Sequence, residues 1–402
     1  MHKAILVLNA GSSSIKFAIF TLAKEGATLD LVYRGQVQGI GSQHTEFIVE
    51  HTQASGVEEL AVDENIVFAN HEAALQALLE WLQKQAAGLH LIAVGHRVVH
   101  GGAFFTAPVI IDADVLTKLE ALLPLAPLHQ VHNLAAIEAF NRIDPGLLQV
   151  ACFDTAFHRT MPAVAQTFAL PRSLTAEGIR PYGFHGLSYE YISRVLLDDI
   201  QFAAEDRVII AHLGHGASLC ALVGGRSVAT TMTFTPLDGL PMATRCGVLD
   251  PGVLLYLMTE KGMTLDAVTD LLYKQSGLLG VSGISGDMRE LLASDQPHAA
   301  EAIELFVYRV VREVASLAAA AGGLHMLVFT GGIGEHSSII RQLICQQLRW
   351  LGVSLDATAN TRGARQISKA DSPVSVWCIP TNEELVIAQH VNSIIQTTVN
   401  RN

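Results

Sequence analysis

The chain has few charged residues, and positive ones least of all. Asp, Glu, Lys and Arg make up 16% of its 402 residues, with 26 Lys and Arg against 38 Asp and Glu, for a net charge of −12. No Lys/Arg cluster breaks this acidic balance, so a surface that tracks a phosphate backbone, and with it a nucleic-acid partner, is excluded. Cysteine is equally sparse. Cys152, Cys220, Cys246, Cys345 and Cys378 are odd in number and nowhere form a C-x-x-C pair, which excludes a zinc site and a disulfide framework and points to reduced thiols in the cytoplasm. A long apolar run is also missing. Ala315 to Thr330 is broken by Gly322-Gly323 and His325, so no membrane span is expected, and the apolar Ala4–Leu8 is too short for a secretory signal.

What is abundant is core-forming material. Half the residues are hydrophobic, and the mean hydropathy is +0.34. A chain of this length exceeds one ordinary core, so two domains are expected. Ala4–Leu8, a turn at Asn9-Ala-Gly-Ser-Ser-Ser14 and Ile15–Phe20 read as strand, turn, strand. The pattern returns at Val208–Ala211, His212-Leu-Gly-His-Gly-Ala-Ser218 and Leu219–Val223, followed by a hairpin signal at Gly224-Gly225. Either the fold is duplicated, with one such unit per domain, or two common hairpins coincide. Helical spacing marks Val67–Gln85, Asp114–Leu123 and Ala299–Ala321, and Met326–Thr330 reads as a buried strand entering the glycine loop Gly331–Glu335. Ser337-Ser338 opens the next helix. Strands alternating with helices give an α/β class. The boundary is expected near Asp154, with domains over 1–154 and 155–383 and a final helix, 384–402, packing back on the first.

Three Gly/Ser turns after apolar strands, at Asn9–Lys16, His212–Ser218 and Gly331–Glu335, offer backbone N–H groups to a phosphate. None has the Walker or dinucleotide-fold spacing. Singly each could be an ordinary turn; together they favour a nucleotide. Arg97 in Gly95-His-Arg-Val-Val-His-Gly-Gly102 ends an apolar strand, where it pairs either with a core carboxylate or with a ligand. His185 in Tyr182-Gly-Phe-His-Gly186 and Arg245 in Thr244-Arg-Cys-Gly247 sit between or beside glycines, and His129 in Pro127-Leu-His-Gln130 opens a helix or loop. Asp154 follows Val150–Phe153 at a strand end, a common place for a working carboxylate. Glu383 and Glu384 precede a helix, where simple favourable N-terminal charge is the competing explanation.

Taken in order, Asn9–Phe17, Gly95–Gly102, Pro127–His129, Phe153-Asp-Thr-Ala-Phe-His158, Tyr182–Gly186, Phe329-Thr-Gly-Gly-Ile-Gly-Glu335 and Thr381-Asn-Glu-Glu384 closely resemble the acetate/propionate kinase family over nearly the whole chain. The resemblance implies an actin-like fold of two ribonuclease H-like domains, with the active site in the interdomain cleft and a homodimer formed through the second domain. It implies a reversible transfer of the ATP γ-phosphoryl group to acetate or another short carboxylate, giving acetyl phosphate and ADP, with magnesium or manganese. Propionate kinase, a non-catalytic ATP-binding switch of the actin-like class and a sugar kinase are the other readings. By the same resemblance Asp154 is the catalytic aspartate, with His185, Arg245 and His129 at the transferring group. Arg97, Val99, Leu128, Phe184 and Pro236 would hold the substrate. Lys16, His212, Leu213, Gly214, His215 and Gly216 would meet the nucleotide, as would Asp287, Met288, Arg289, Gly331, Gly332, Ile333, Gly334 and Glu335. Asn9 and Glu383 would hold the metal. Two segments depart from the family pattern. His215 replaces the Asn of HLGNG, and Ala243, Cys246 and Val248 change the neighbours of Arg245.

Overall fold

A computed structural model describes residues 2–11, 13–22, 28–42, 44–53, 56–61, 67–85, 88–127, 129–200, 203 and 205–399. The chain divides into two compact units, Met1–Ala156 with Asn382–Asn402, and Phe157–Thr381.

In the first unit the described strands are β1 (His2–Ala10), β2 (Ser14–Leu22), β3 (Leu29–Gln38), β4 (Glu46–Gln53), β5 (Gly56–Ala61), β6 (Leu89–Val98), β7 (Val109–Ile110) and β8 (Leu148–Phe153). They form one sheet in the order β5-β4-β3-β2-β1-β6-β8-β7. β1 and β2 are the antiparallel hairpin expected from the sequence, and β6 runs parallel to β1. Ala4 through Leu8 are all buried, because a central strand covered on both faces needs no polar alternation. One face packs on helices His71–Gln85 and Gln130–Ile143 through Leu75, Leu78, Trp81 and Phe140. Helix Glu383–Val399 covers β6 at Gly95, where a Cβ would lie 2.5 Å from Ile387 and 2.8 Å from Val391. That close approach explains the glycine.

The second unit holds β9 (Arg207–Leu213), β10 (Ala217–Val223), β11 (Arg226–Thr230), β12 (Met326–Thr330) and β13 (Ser375–Cys378), in the order β11-β10-β9-β12-β13. β9–β10–β11 are antiparallel, with β10 joined to β11 at Gly224 and Gly225 (φ 55° and 75°), while β12 and β13 add in parallel. β3-β2-β1-β6-β8 of the first sheet has the same order and the same strand senses. Of the two explanations for the repeated hairpin, duplication is therefore the one the topology favours.

Three expected elements shift. The first helix begins at His71 rather than Val67, because the Asn70 side chain caps it at Ala73 N. Asp112 caps the next at Val115 N, so it spans Ala113–Glu120 and gives way to a 3₁₀ turn at Leu123–Leu125 beside Pro124. Gly331–His336, read as a loop, is a helical turn. The long helix runs Pro297–Ala321 and stops at Gly322, which is left-handed at φ 75°.

Candidate active site

The first unit carries five polar side chains of interest from four places in the chain. β6 and β8 lie parallel with Arg97 opposite Cys152, so Asp154, one residue past β8, reaches the end of β6. Arg97 donates from Nε and Nη2 to the two Asp154 oxygens at 3.0 and 2.7 Å. Asp154 is 2% exposed. Glu383, at the start of the final helix, places a carboxylate oxygen 3.7 Å from Arg97 Nε. Burial pushes the Arg97 guanidinium pKa down, but Asp154 and Glu383 more than reverse this and hold it protonated. Burial raises the Glu383 carboxyl to about 7, against the pull of Arg97 and, more weakly, of Lys16. A carboxylate so short of positive charge is one that a cation would relieve. Asn9 and Lys16 face each other across the β1–β2 hairpin, with Lys16 exposed.

Two side chains that sequence reasoning missed fix this end of the sheet. Asn133 accepts from Val99 N at 3.1 Å and donates to Ala10 O at 3.0 Å, tying the β1 turn to the chain beyond β6. Gln130 holds both the N–H and the carbonyl of His100. Both are buried and one turn apart on the helix that follows His129, which is the pattern that could have signalled them. Val99 is buried at 8% exposure, and His129 is the N-cap residue of that helix. Leu128 lies outside the described residues.

In the second unit His185, Arg245 and the β9–β10 turn converge. His185 is left-handed at φ 58°, a strained conformation for a side chain of its size. Its Nδ1 bonds Ser218 Oγ at 2.8 Å, and its ring stacks on His212 with centroids 4.4 Å apart. A Cβ at Gly216 would sit 2.9 Å from Arg245 Nη2 and 3.2 Å from His185 Nε2, so the glycine lets both side-chain tips meet the turn. Arg245 is anchored by Nη1 to Pro236 O at 2.6 Å. Burial lowers the Arg245 pKa, only partly offset by Tyr273. The Phe184 side chain is buried at 1%, and its carbonyl accepts from His158.

A cavity of about 890 Å³ is lined by Gly214, His215, Asp287, Met288, Arg289, Gly332 and Ile333, and also by His336, Ser337 and Ser338. Its volume suits a nucleotide. Gly331, at φ 75°, would bring a Cβ within 2.9 Å of Leu213 O, and Gly334 packs inward on Ala211 and Phe329. Gly332 alone of the three glycines has nothing within 4 Å and opens on the cavity. Glu335 turns away from it. Its carboxylate accepts from Gly331 N at 2.8 Å and Thr381 N at 3.1 Å, bracing the turn from behind. Arg289 clasps Asp287, whose carboxyl this pairing holds down to about 2. His212 bonds Ser188 through Nδ1, and Leu213 is fully buried, so of the β9–β10 segment Gly214 and His215 are the residues that reach the cavity.

Residues 4–389 match the sequence profile of the Acetokinase family. The chain belongs to that family. It is 56% identical over 394 residues to an acetate kinase of Rhodopseudomonas palustris, covering 97% of this chain and 98% of the relative. It is 50% identical to an acetate kinase of Rhizobium meliloti, covering 98% of each. Among solved structures, a Francisella tularensis propionate kinase superposes with a TM-score of 0.88 at 38% identity, covering 96% of this chain and 98% of the other. The Porphyromonas gingivalis acetate kinase superposes at 0.85 and 36%, covering 98% and 100%. The actin-like α/β fold follows from these matches and from the two mixed sheets.

Proposed function

We propose that the chain moves the γ-phosphoryl group of ATP reversibly to acetate, giving acetyl phosphate and ADP. The observation that carries this reading is Arg97, a guanidinium held in place by a buried carboxylate and followed two residues later by buried Val99. The cation suits a substrate carboxylate and the valine its alkyl end; a nucleotide switch would need neither. Acetate is ionised at neutral pH, since carboxylic acids titrate near 4, so the nucleophile needs no general base. Asp154 therefore orients Arg97 and does not take a proton. The barrier is the approach of like charges, about 4 kcal/mol per unit pair at 4 Å and an effective dielectric near 20. Arg97, Lys16 and Arg245 are the cations this acidic chain commits against it, with the His185 ring beside Arg245 as a further polar group.

Among the described residues no group of three or more His, Cys, Asp or Glu is disposed to hold a metal. Magnesium needs no such cage, because it binds through one or two protein oxygens together with substrate phosphates and water. Glu383 and Asn9 would supply those oxygens, and the ion, when bound, would neutralise phosphate charge.

We also infer a homodimer. Helix Pro251–Thr259 is apolar all round yet buries no residue in the single chain, leaving Leu255 65% and Tyr256 52% exposed. An apolar helix of this kind is normally covered, and a second copy presents the same face. Leu255→Glu should convert a dimer to a monomer in sedimentation velocity. Five unpaired cysteines favour a reducing compartment, the cytoplasm, and no described helix is long and apolar enough to cross a membrane.

The deciding assay traps the acyl phosphate with hydroxylamine while ATP and magnesium are offered with acetate, propionate, butyrate or glycerol. Acetate should give the highest kcat/KM, with propionate slower. Turnover with glycerol alone, or ATP binding with no acyl phosphate from any acid, would overturn the reading.

A further inference from the structure

A second cavity, about 620 Å³, lies in the second unit between helix Ser338–Gln347 and the segment that follows it. Gln342 and Gln346 come from the helix, Arg349 from the turn after it, Ser354 from the next segment and Lys369 from beyond. No Asp or Glu lines it, in a chain with 12 more acidic than basic residues. Arg349 and Lys369 take part in no ion pair or side-chain hydrogen bond among the described residues; other exposed cations of this unit, such as Arg226 and Arg362, are likewise unpaired, but these two share one cavity. The nearby Asp356 is engaged in capping Thr358 and Ala359, both at 2.9 Å, and Asp371 lies outside the lining. The floor is fixed by backbone: Lys369 N donates to Ser354 O at 2.9 Å, and Ser354 N to Ser372 Oγ at 2.9 Å.

We propose that this cavity binds a small metabolite carrying a phosphate and a second anionic group, and that its occupancy is felt at the nucleotide cavity. Two unneutralised cations from separate segments, lining one cavity with two amides and a hydroxyl, match a molecule with two negative groups. The cavity is too large for inorganic phosphate alone and falls within the usual range for metabolites. The helix dipole opposes an anion near the C-terminus of helix Ser338–Gln347, and exposed charges are screened, so affinity is in the millimolar range.

The coupling runs along one helix of ten residues, about 15 Å at 1.5 Å per residue. Its first residues, Ser338 and Ile339, line the nucleotide cavity, and its last turns line this one. Between them Arg341, 1% exposed, donates to the carbonyls of Gly334 and Glu335 at 2.8 and 2.7 Å. A ligand that shifts the helix shifts the Gly331–His336 turn with it, and the effect is reciprocal. Binding at the second cavity is independent of the function proposed above; the coupling rests on it.

The test uses the full chain saturated with ADP, so that the nucleotide cavity is filled, and 3-phosphoglycerate as the probe in calorimetry. The wild type should bind with a Kd of a few millimolar. Arg349→Gln with Lys369→Gln should weaken binding at least about tenfold, equal to about 1.4 kcal/mol. Lys369→Arg should retain it. Both positions are exposed, so the melting temperature should not move. In turnover the probe should change the KM for ATP at least about twofold in the wild type and not in the double variant. Equal binding by wild type and double variant, or none in the wild type up to about 20 mM, overturns the site. Binding that disappears in the double variant without any KM shift in the wild type overturns the coupling.

Discussion

Arg97 and Asp154 are 57 residues apart in the chain, yet they face each other through two parallel hydrogen bonds of 3.0 and 2.7 Å. The contact follows from two strands ending side by side, and it makes Asp154 the group that aims the guanidinium. Arg97→Ala should raise the KM for acetate about 10- to 100-fold, since a hydrogen bond to a charged group contributes about 1.5–3 kcal/mol. It should also destabilise the fold by about 3–5 kcal/mol, because Asp154 is left as an unpaired buried charge. Arg97→Lys keeps the charge but loses the fork, and its KM should fall between the two. Steady-state kinetics with urea titrations separate the effects; an unchanged KM in both variants would remove Arg97 from the substrate.

Gly216 sits under the tips of Arg245 and His185, with a Cβ position 2.9 and 3.2 Å from them. Gly216→Ala should displace those flexible tips rather than the backbone. kcat should fall more than about tenfold, equivalent to about 1.4 kcal/mol of transition-state stabilisation, with the KM for acetate little changed. Arg245→Ala should reproduce the kcat loss. If Gly216→Ala turned over at the wild-type rate, the convergence at the turn would have no part in the transfer step.

The hairpins, the buried strand at Met326–Thr330 and the order of the glycine turns were legible because each is written in a local period or a local turn. Arg97, Asp154 and Glu383 could be named singly, but their mutual distances depend on which strands are neighbours, and β6 and β8 are joined by about fifty residues of intervening chain. Asn133 and Gln130 stayed hidden for a different reason. A buried amide on a helix looks like any polar residue until the backbone groups it holds, at Ala10, Val99 and His100, are brought beside it. Glu335 shows the opposite case: its motif was visible, but the direction of its carboxylate, back toward Gly331 and Thr381, was not.

Val99 is buried beside the end of β6. If it closes the alkyl end of the substrate pocket, Val99→Ala should raise the ratio of kcat/KM for propionate over acetate by roughly 5- to 150-fold, as one methylene is worth about 1–3 kcal/mol. Competition between the two acids in one assay gives the ratio directly. A ratio that does not move would place the alkyl end elsewhere.

His96, buried on β6 and bonded to Gln149 at 2.7 Å, is a stability switch on the acid side. Burial lowers its pKa from 6.5 to about 4, with the Gln149 bond opposing. The unfolded chain therefore binds the proton more readily. The stability that the neutral ring provides is complete above about 6.5 and is lost as pH falls toward 4. Between pH 7 and pH 5 the loss should be about 2 kcal/mol. His96→Gln should flatten that part of the urea-midpoint profile, and an unaltered profile would assign the acid sensitivity to other groups.

His215, read from the sequence as standing where the family pattern has Asn, lies in the β9–β10 turn on the wall of the 890 Å³ cavity and is exposed. Burial lowers its pKa first and nearby Arg245 second, while Asp287 raises it. Arg289 and His336 share the cavity wall, with Arg289 already committed to Asp287. These surroundings favour the neutral imidazole. Bound phosphates would favour its protonated form, so the pKa should rise on binding and a proton should be taken up. The sign follows: ATP affinity weakens as pH rises through the bound-state pKa and stops changing below the free-state value, which lies under 6.5. Calorimetry in two buffers of different ionisation enthalpy counts the proton directly, after correction for the titration of ATP itself. His215→Asn should abolish the uptake and the pH slope between about 6 and 8, while leaving His336 and His185 in place. A slope that persists unchanged in the Asn variant would assign the proton to one of those two, leaving His215 to act through its backbone alone.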